Sequence, residues 1–182
     1  MIIADPKTRE EWLTARTHGI GGSDAGCIVG ANPWKSARQL WREKSGIDTP
    51  PDISDKPAPF IFATLDGELT DADGRRGILE IKTTTIQNAR QWDEWDDDNI
   101  PQHYFFQVVH QFLSCEWAEF AELFAHIRYY HGEEIRATLR KYHMERTDKN
   151  VVEVMQYLEE REIQFYKQWQ DDTEPPFILP EI

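Results

Sequence analysis

Three residues near one another in the sequence carry groups able to act on phosphate: Asp66, Glu80 and Lys82. Side chains alternate along an extended strand. In Ile78-Leu79-Glu80-Ile81-Lys82, Glu80 and Lys82 therefore share one face, and Leu79 and Ile81 are expected to turn to the other, into the core. Asp66 closes the neighbouring apolar run just before Gly67 and can bring a second carboxylate beside Glu80. Two converging carboxylates form a hard-oxygen site suited to Mg²⁺ or Mn²⁺. A lysine beside them can orient or deprotonate a water, or stabilise charge developing on phosphate. These groups are the minimum for phosphodiester hydrolysis. Standing alone, a Glu-x-Lys pair on a strand is more often a solvated charge pair, so the rest of the chain has to support the reading.

The elements that must position these residues can be read from punctuation and periodicity. Thr8-Arg9-Glu10-Glu11 fits a capping box opening a first helix that Gly19 stops. Ser23 is expected to cap a short second helix through Val29, and a third runs from Ser36 to about Lys44 with Leu40 and Trp41 inward. Residues 47–59 hold four prolines and no periodicity, as a loop or linker does. Strands are expected over Phe60–Leu65 and Ile78–Thr84, with Asp71–Gly74 as turn chemistry between them. Residues 91–99, QWDEWDDDN, read as an acidic loop. A helix from Pro101 to about Ser114 follows, then two strands around Gly132. A last helix capped by Thr147 carries Val151, Val154, Met155, Leu158, Phe165 and Trp169 as its apolar stripe. The order is that of an α/β or α+β domain with a mixed central sheet.

The chain has 182 residues, the size of one domain, and its 40% hydrophobic content supports a core. It shows no basic-then-apolar leader, no membrane-length apolar run and no Cys-x-x-Cys pair. An intracellular soluble protein is the expectation, with Cys27 buried and inert. The formal net charge is −13, which taken alone disfavours a polyanionic partner. The charge is uneven, however: residues 1–46 carry seven basic against five acidic residues, a net of +2, and the remainder carries −15. A polyanion is thus gripped mainly by the amino-terminal quarter, where Arg16 is a planar phosphate donor and Ser23 lies at a Gly-rich turn into a helix.

Four ordered segments give the sequence a family likeness. They are Trp12 and Arg16 with Gly19-Ile20-Gly21-Gly22-Ser23-Asp24; Asn32-Pro33-Trp34-Lys35-Ser36 with Leu40-Trp41; Asp66-Gly67 with Gly77-Ile78-Leu79-Glu80-Ile81-Lys82; and Ile100-Pro101 with Tyr104, Gln107, His110 and Gln111. The set resembles the YqaJ-type viral recombinases, relatives of bacteriophage lambda exonuclease in the PD-(D/E)xK nuclease superfamily. The resemblance implies a restriction-endonuclease-like fold, a mixed sheet flanked by helices in a single domain over residues 1–182. It implies Asp66, Glu80 and the Ile81 carbonyl as ligands of Mg²⁺ (or Mn²⁺), with Lys82 activating water or stabilising the transition state. Gln107 lies beside the catalytic strand, Arg16 and Ser23 hold a 5′-phosphate, and Trp12 and Tyr104 approach the DNA.

The implied activity is a cytoplasmic phage or prophage exonuclease that degrades linear double-stranded DNA from a 5′-phosphorylated end. Its implied partners are DNA ends and a single-strand annealing recombinase, its implied assembly a homotrimer, and no membrane is involved. The sequence departs from the family in one place. Relatives carry a longer segment between the Leu-Trp helix and the Asp-Gly strand, with a further glutamate for the metal site. Residues 47–59 contain no glutamate. This keeps two other readings open: a module that holds DNA ends without cutting, and an endonuclease of the same superfamily.

Overall fold

The computed structural model describes residues 8, 10–11, 16, 18–47, 60–95 and 99–176. Four strands form one sheet in sequence order: β1 (Gly67–Thr70), β2 (Arg76–Ile86), β3 (Phe120–His131) and β4 (Glu134–Glu145). β1 and β2 are antiparallel, β2 and β3 parallel, and β3 and β4 antiparallel, so the sheet is mixed as expected. The helices are α1 (Gly22–Ile28), α2 (Ala37–Lys44), α3 (Ala89–Asp93), α4 (Gln102–Ser114) and α5 (Lys149–Gln170). The parallel β2–β3 pair needs a crossover, and α3 and α4 supply it.

The core lies where α4 packs against the sheet. Val108 and Phe112 of α4 meet Ile78, Ile86, Ala121, Leu123, Ala125 and Ile127, all buried. On the far side α4 meets α5, where Val109 and Leu113 pack with Leu158. Near the amino terminus, the capping box holds: Thr8 Oγ1 accepts from the Glu11 amide, and the Thr8 amide donates to Glu11. Ser36 caps α2, with Leu40 and Trp41 buried as expected.

Several expectations shift. Phe60–Leu65 is not a strand: Ile61 makes an isolated parallel bridge to Ile20, and three consecutive residues, Ile61 to Ala63, are buried. A short apolar run does not say whether it is strand or merely core. The actual strand, β1, starts after Asp66, and its polar residues make it a weak sequence signal. Ser23 does not cap α1; it sits inside the helix, whose N-cap is Gly21. Asp148, not Thr147, is the N-cap of α5, and its side chain accepts from the Glu145 amide instead of the helix. Within 91–99, α3 opens the segment and Trp95 is buried, its carbonyl taking Arg140 and Tyr142; residues 96–98 lie outside the described residues.

The largest correction concerns β2. Ile78, Glu80 and Ile86 are buried against α4, while Leu79 is half-buried and Ile81 is 53% exposed. Among the described residues no helix covers the opposite face of the sheet. Phe124, Leu139, Ile135 and Tyr130 are exposed there beside Ile81. The core therefore sits on the face that carries Glu80, so the charged residues enter the covered side.

Candidate active site

Glu80 and Lys82 do share a face, and α4 gives them partners. Residues four apart stack on one side of a helix, which puts Gln107 and Gln111 together over the middle of β2. Gln107 bridges the charged pair: its Nε2 donates to Glu80 Oε1 at 2.7 Å, and its Oε1 accepts from Lys82 Nζ at 2.7 Å. Lys82 Nζ is 2.5 Å from Glu80 Oε1. Gln111 Nε2 donates to Glu80 Oε2 at 2.5 Å. An amide between a carboxylate and an ammonium is satisfied in one orientation only, so this network also fixes which way Gln107 points.

Glu80 is only 3% exposed. Taking an unpaired carboxylate out of water costs several kcal/mol, and three donors on one carboxylate are what offset it. Well-packed apolar residues would stabilise the same space as well or better. A buried carboxylate held this way is the kind of group found at functional sites.

Asp66 arrives from the loop before β1. Its Oδ2 accepts from the Ile81 amide at 2.7 Å, which fixes an exposed carboxylate one residue beyond Glu80 on β2. The expected trio is thus brought together: Asp66 pinned to Ile81, Glu80 next to it, and Lys82 against Glu80. The donors suit one hard divalent cation. Glu80 uses three of its roughly four lone-pair positions, Asp66 is exposed, and Ile81, whose amide Asp66 accepts, also carries a backbone carbonyl oxygen. Mg²⁺ commonly takes one or two carboxylates and completes its shell with water and substrate phosphate. Among the described residues no group of three or more acidic, His or Cys side chains could hold a metal. Residues 48–59 lie outside the described residues.

Tyr104, one turn before Gln107, flanks the lysine, with Lys82 Nζ 4.9 Å from its ring centre. Burial raises its phenol above the ordinary value despite a hydrogen bond with Thr84.

A second cluster lies along α1, which packs on α4. The approach is close: a Cβ on Gly22 would stand 3.3 Å from Gln107 Cγ, and one on Gly26 would stand 3.2 Å from His103 Cβ. A methyl group at either position would require its neighbour on α4 to give by a few tenths of an ångström. Arg16 Nη2 donates to Ser23 Oγ at 3.0 Å and lies 3.5 Å from Asp24 Oδ1. The buried Asp24 also takes Lys44 Nζ at 3.0 Å and the Gly21 amide at 3.1 Å. Burial pushes the Asp24 carboxyl up, but Lys44, the Gly21 amide and Arg16 together hold it below the usual value. Lys44 further donates to the Arg16 and Gly19 carbonyls at 2.9 and 2.6 Å, tying the Arg16 segment to α2. Arg16 and Ser23 are thus adjacent, and Ser23 follows the Gly22 that meets Gln107. Trp12 lies outside the described residues.

Sequence reasoning missed Gln111, Asp24 and Lys44 as parts of these clusters. The signal for Gln111 was its four-residue spacing from Gln107. Nothing local marks Asp24 and Lys44, whose meeting depends on how α1 and α2 pack. His110 lies on the same helix as Gln107 and Gln111. It is fully buried, its Nε2 donating to the Phe62 carbonyl at 2.8 Å and its Nδ1 facing Glu162 Oε1 at 2.7 Å. Burial lowers its basicity, but Glu162 outweighs that and raises it above the ordinary value. Cys27 is buried as expected, and burial pushes its thiol up to about 12.

Comparisons with known proteins bear on the family and the fold. The YqaJ-like viral recombinase domain family matches residues 11–58 and 52–118, and the two stretches meet in the segment that the sequence reading found short. The uncharacterized protein YqaJ of Bacillus subtilis (strain 168) is 33% identical over 138 residues, covering 57% of this chain and 41% of that protein. The chain thus spans about two-fifths of the length of the curated relative it matches. The crystal structure of an alkaline exonuclease (LHK-Exo) from Laribacter hongkongensis superposes with a TM-score of 0.50 at 15% identity, over 90% of this chain and 93% of that one. That likeness shows a shared fold, of the restriction-endonuclease-like kind. By the family match, which spans more than half of the sequence, the chain belongs to the YqaJ-like viral recombinase domain family.

Proposed function

We propose that this chain is a metal-dependent deoxyribonuclease, an exonuclease that hydrolyses linear double-stranded DNA from a 5′-phosphorylated end. One observation carries the reading: a buried Glu80, clamped by Lys82, Gln107 and Gln111, lies beside an Asp66 pinned to Ile81. Family membership and the exonuclease title of the structural neighbour support it.

Asp66, Glu80 and the Ile81 carbonyl would hold one Mg²⁺ or Mn²⁺. When bound, such an ion supplies Lewis acidity and makes a water acidic enough to attack. Lys82 is the one ammonium in contact with this carboxylate; it holds or takes a proton beside the attacking water and offsets charge on the phosphate. Gln107 keeps Nζ aimed, since losing its Oε1 would release the ammonium from that side. Arg16 and Ser23 hold the terminal 5′-phosphate, with Asp24 and Lys44 fixing the position of Arg16. Tyr104 packs the open side of Lys82.

The lack of a third acidic side chain among the described residues favours a second reading, a module that holds DNA ends without cutting. One assay separates them, with duplex DNA labelled at a 5′-phosphate, Mg²⁺, Mn²⁺ or chelator, and a closed circular control. Metal-dependent loss of the linear DNA with the circle intact supports the exonuclease. Cutting of the circle would make it an endonuclease, and binding without digestion would leave the end-holding module. A homotrimer and a single-strand annealing partner belong to the same proposal; scattering that gives a monomer at working concentration would remove the trimer. A cytoplasmic site of action is proposed too, and no described helix is long and apolar enough to cross a membrane.

A further inference from the structure

The segment Asn32-Pro33-Trp34-Lys35 has no part in the site above, yet it presents the indole of Trp34 73% exposed. The loop is held in place: Asn32 Oδ1 accepts from the Trp34 and Lys35 amides at 2.9 and 3.0 Å. The indole meets the His103 ring edge-on at 5.1 Å, and His103 lies 4.1 Å from the Tyr104 ring. Tyr104 in turn covers Lys82. Three rings thus form a continuous row from solvent to the lysine of the candidate active site. Burial and the nearby Lys82 push His103 down to about 4, so at neutral pH it is an uncharged ring and not a second cation.

A single exposed aromatic on a surface is ordinary. This one differs in two ways: the row ends at Lys82, and a cavity of about 370 Å³ opens beside Trp34. Lys35, Arg38 and Arg42 line that cavity, and among the described residues no carboxylate does. The first two reach Glu43 and Glu174 at 2.8 and 2.5 Å, both exposed pairs that a phosphate can displace at small cost. In a chain of net charge −13, three cations lining one cavity beside a row of aromatic rings are a local exception. Aromatic faces that take bases, with cations that follow the backbone, are how proteins hold unpaired strands without reading sequence.

We infer that Trp34, His103 and Tyr104 form a stacking track that guides unpaired nucleotides of a DNA strand to Lys82, with the cavity of Lys35, Arg38 and Arg42 taking the strand's phosphates. The inference rests on the proposed nuclease function. It does not follow from it, because a nuclease working on paired ends needs no such row.

Fluorescence anisotropy in chelator, with the full chain, tests it on four labelled DNAs: a blunt duplex, the same duplex with a short single-stranded extension in each polarity, and an extension made of abasic nucleotides. Base stacking contributes about 1–3 kcal/mol per base, so Trp34→Ala is expected to weaken binding of the better-bound extended duplex about tenfold. Blunt-duplex binding should not change, and Trp34→Tyr should recover most of the loss. On the abasic extension the wild-type chain should bind as weakly as Trp34→Ala. The exposed position leaves the core intact, so folding is not at stake. Equal weakening on all four DNAs, or none on any, would overturn the track. If the wild-type chain cuts duplex DNA while Trp34→Ala binds every DNA normally, the nuclease reading stands and only the track falls. A wild-type chain that binds no DNA overturns both.

Discussion

Two buried carboxylates border the same helix and are satisfied in opposite ways. Glu80, on β2, takes an ammonium and two amides from the side chains of Lys82, Gln107 and Gln111. Glu162, on α5, takes the ring of His110, and both are fully buried. Gln107 and Gln111 serve the first, and His110 the second, so neighbouring faces of α4 divide the work. Burying an ion pair rarely gains stability over apolar packing, while stripping one partner away is expensive. The His110–Glu162 pair has no route to solvent and ties α4 to α5 and, through the Phe62 carbonyl, to the chain that leads to Asp66. Glu80 is buried too, but Lys82 is partly exposed and the exposed Asp66 is pinned to the next residue on β2. On the proposed function, similar charges serve architecture in one place and chemistry in the other because only one lies next to groups that solvent reaches.

Glu80→Gln breaks the comparison most sharply. Losing the charge while keeping the shape is expected to cut DNA hydrolysis by about 10³-fold or more, the scale of removing a preorganised charge-stabilising group. The melting temperature should fall as well, because Lys82 loses its counter-charge and one donor loses its acceptor, but end binding by the folded protein in chelator should survive. An assay showing full cleavage by this variant would remove Glu80 from the chemistry.

Glu162→Ala should do the reverse. Leaving His110 buried without its partner is expected to cost about 3–5 kcal/mol in urea unfolding, with cleavage lost only in proportion to unfolded protein. A loss of activity in fully folded variant would place this pair in the site as well.

The pair also predicts a pH slope. The value of His110 is raised in the folded state, above the ordinary 6.5. Its contribution is therefore complete at pH below about 6.5 and is lost as pH rises through the higher folded value. Thermal melts from pH 6 upward should show this loss in the wild-type chain and not in Glu162→Gln. The same slope in both chains would show that another group titrates.

Arg16→Ala is expected to reduce the preference for a 5′-phosphorylated over a 5′-hydroxyl end about tenfold, as for a hydrogen bond to a charged group. Competition binding reads it, and an unchanged preference would remove Arg16 from the phosphate site. Smallest of all, Leu139→Thr on the open sheet face should change stability by no more than about 0.5 kcal/mol. A larger loss would show that this face is covered in solution.

Much of this was legible in advance because it is local. Glu80 and Lys82 share a face by strand alternation alone. Ser36 caps α2, Leu40 and Trp41 face inward, and the α5 stripe is readable at helical spacing. What failed shares one cause. The inward face of β2 was assigned from the hydrophobicity of Leu79 and Ile81, whereas Ile78 and the charged Glu80 face α4. Alternation tells which residues go together but not which set meets the helix. Phe60–Leu65 was misread for a related reason, since burial on all sides leaves no period to separate core loop from strand.

By itself, then, the sequence determined the spacings: Glu80 with Lys82, Gln107 with Gln111, the order of helices and strands, and the positive quarter around Arg16. Those depend on backbone periodicity and residue type, which act over a few residues. Only the tertiary structure decided that Gln107 bridges Glu80 and Lys82, that Lys44 and Arg16 converge on Asp24, and that His110 finds Glu162 fifty-two positions away. Such meetings are set by which helix face packs on which sheet face. Burial then favours arrangements in which the polar groups caught between them find partners.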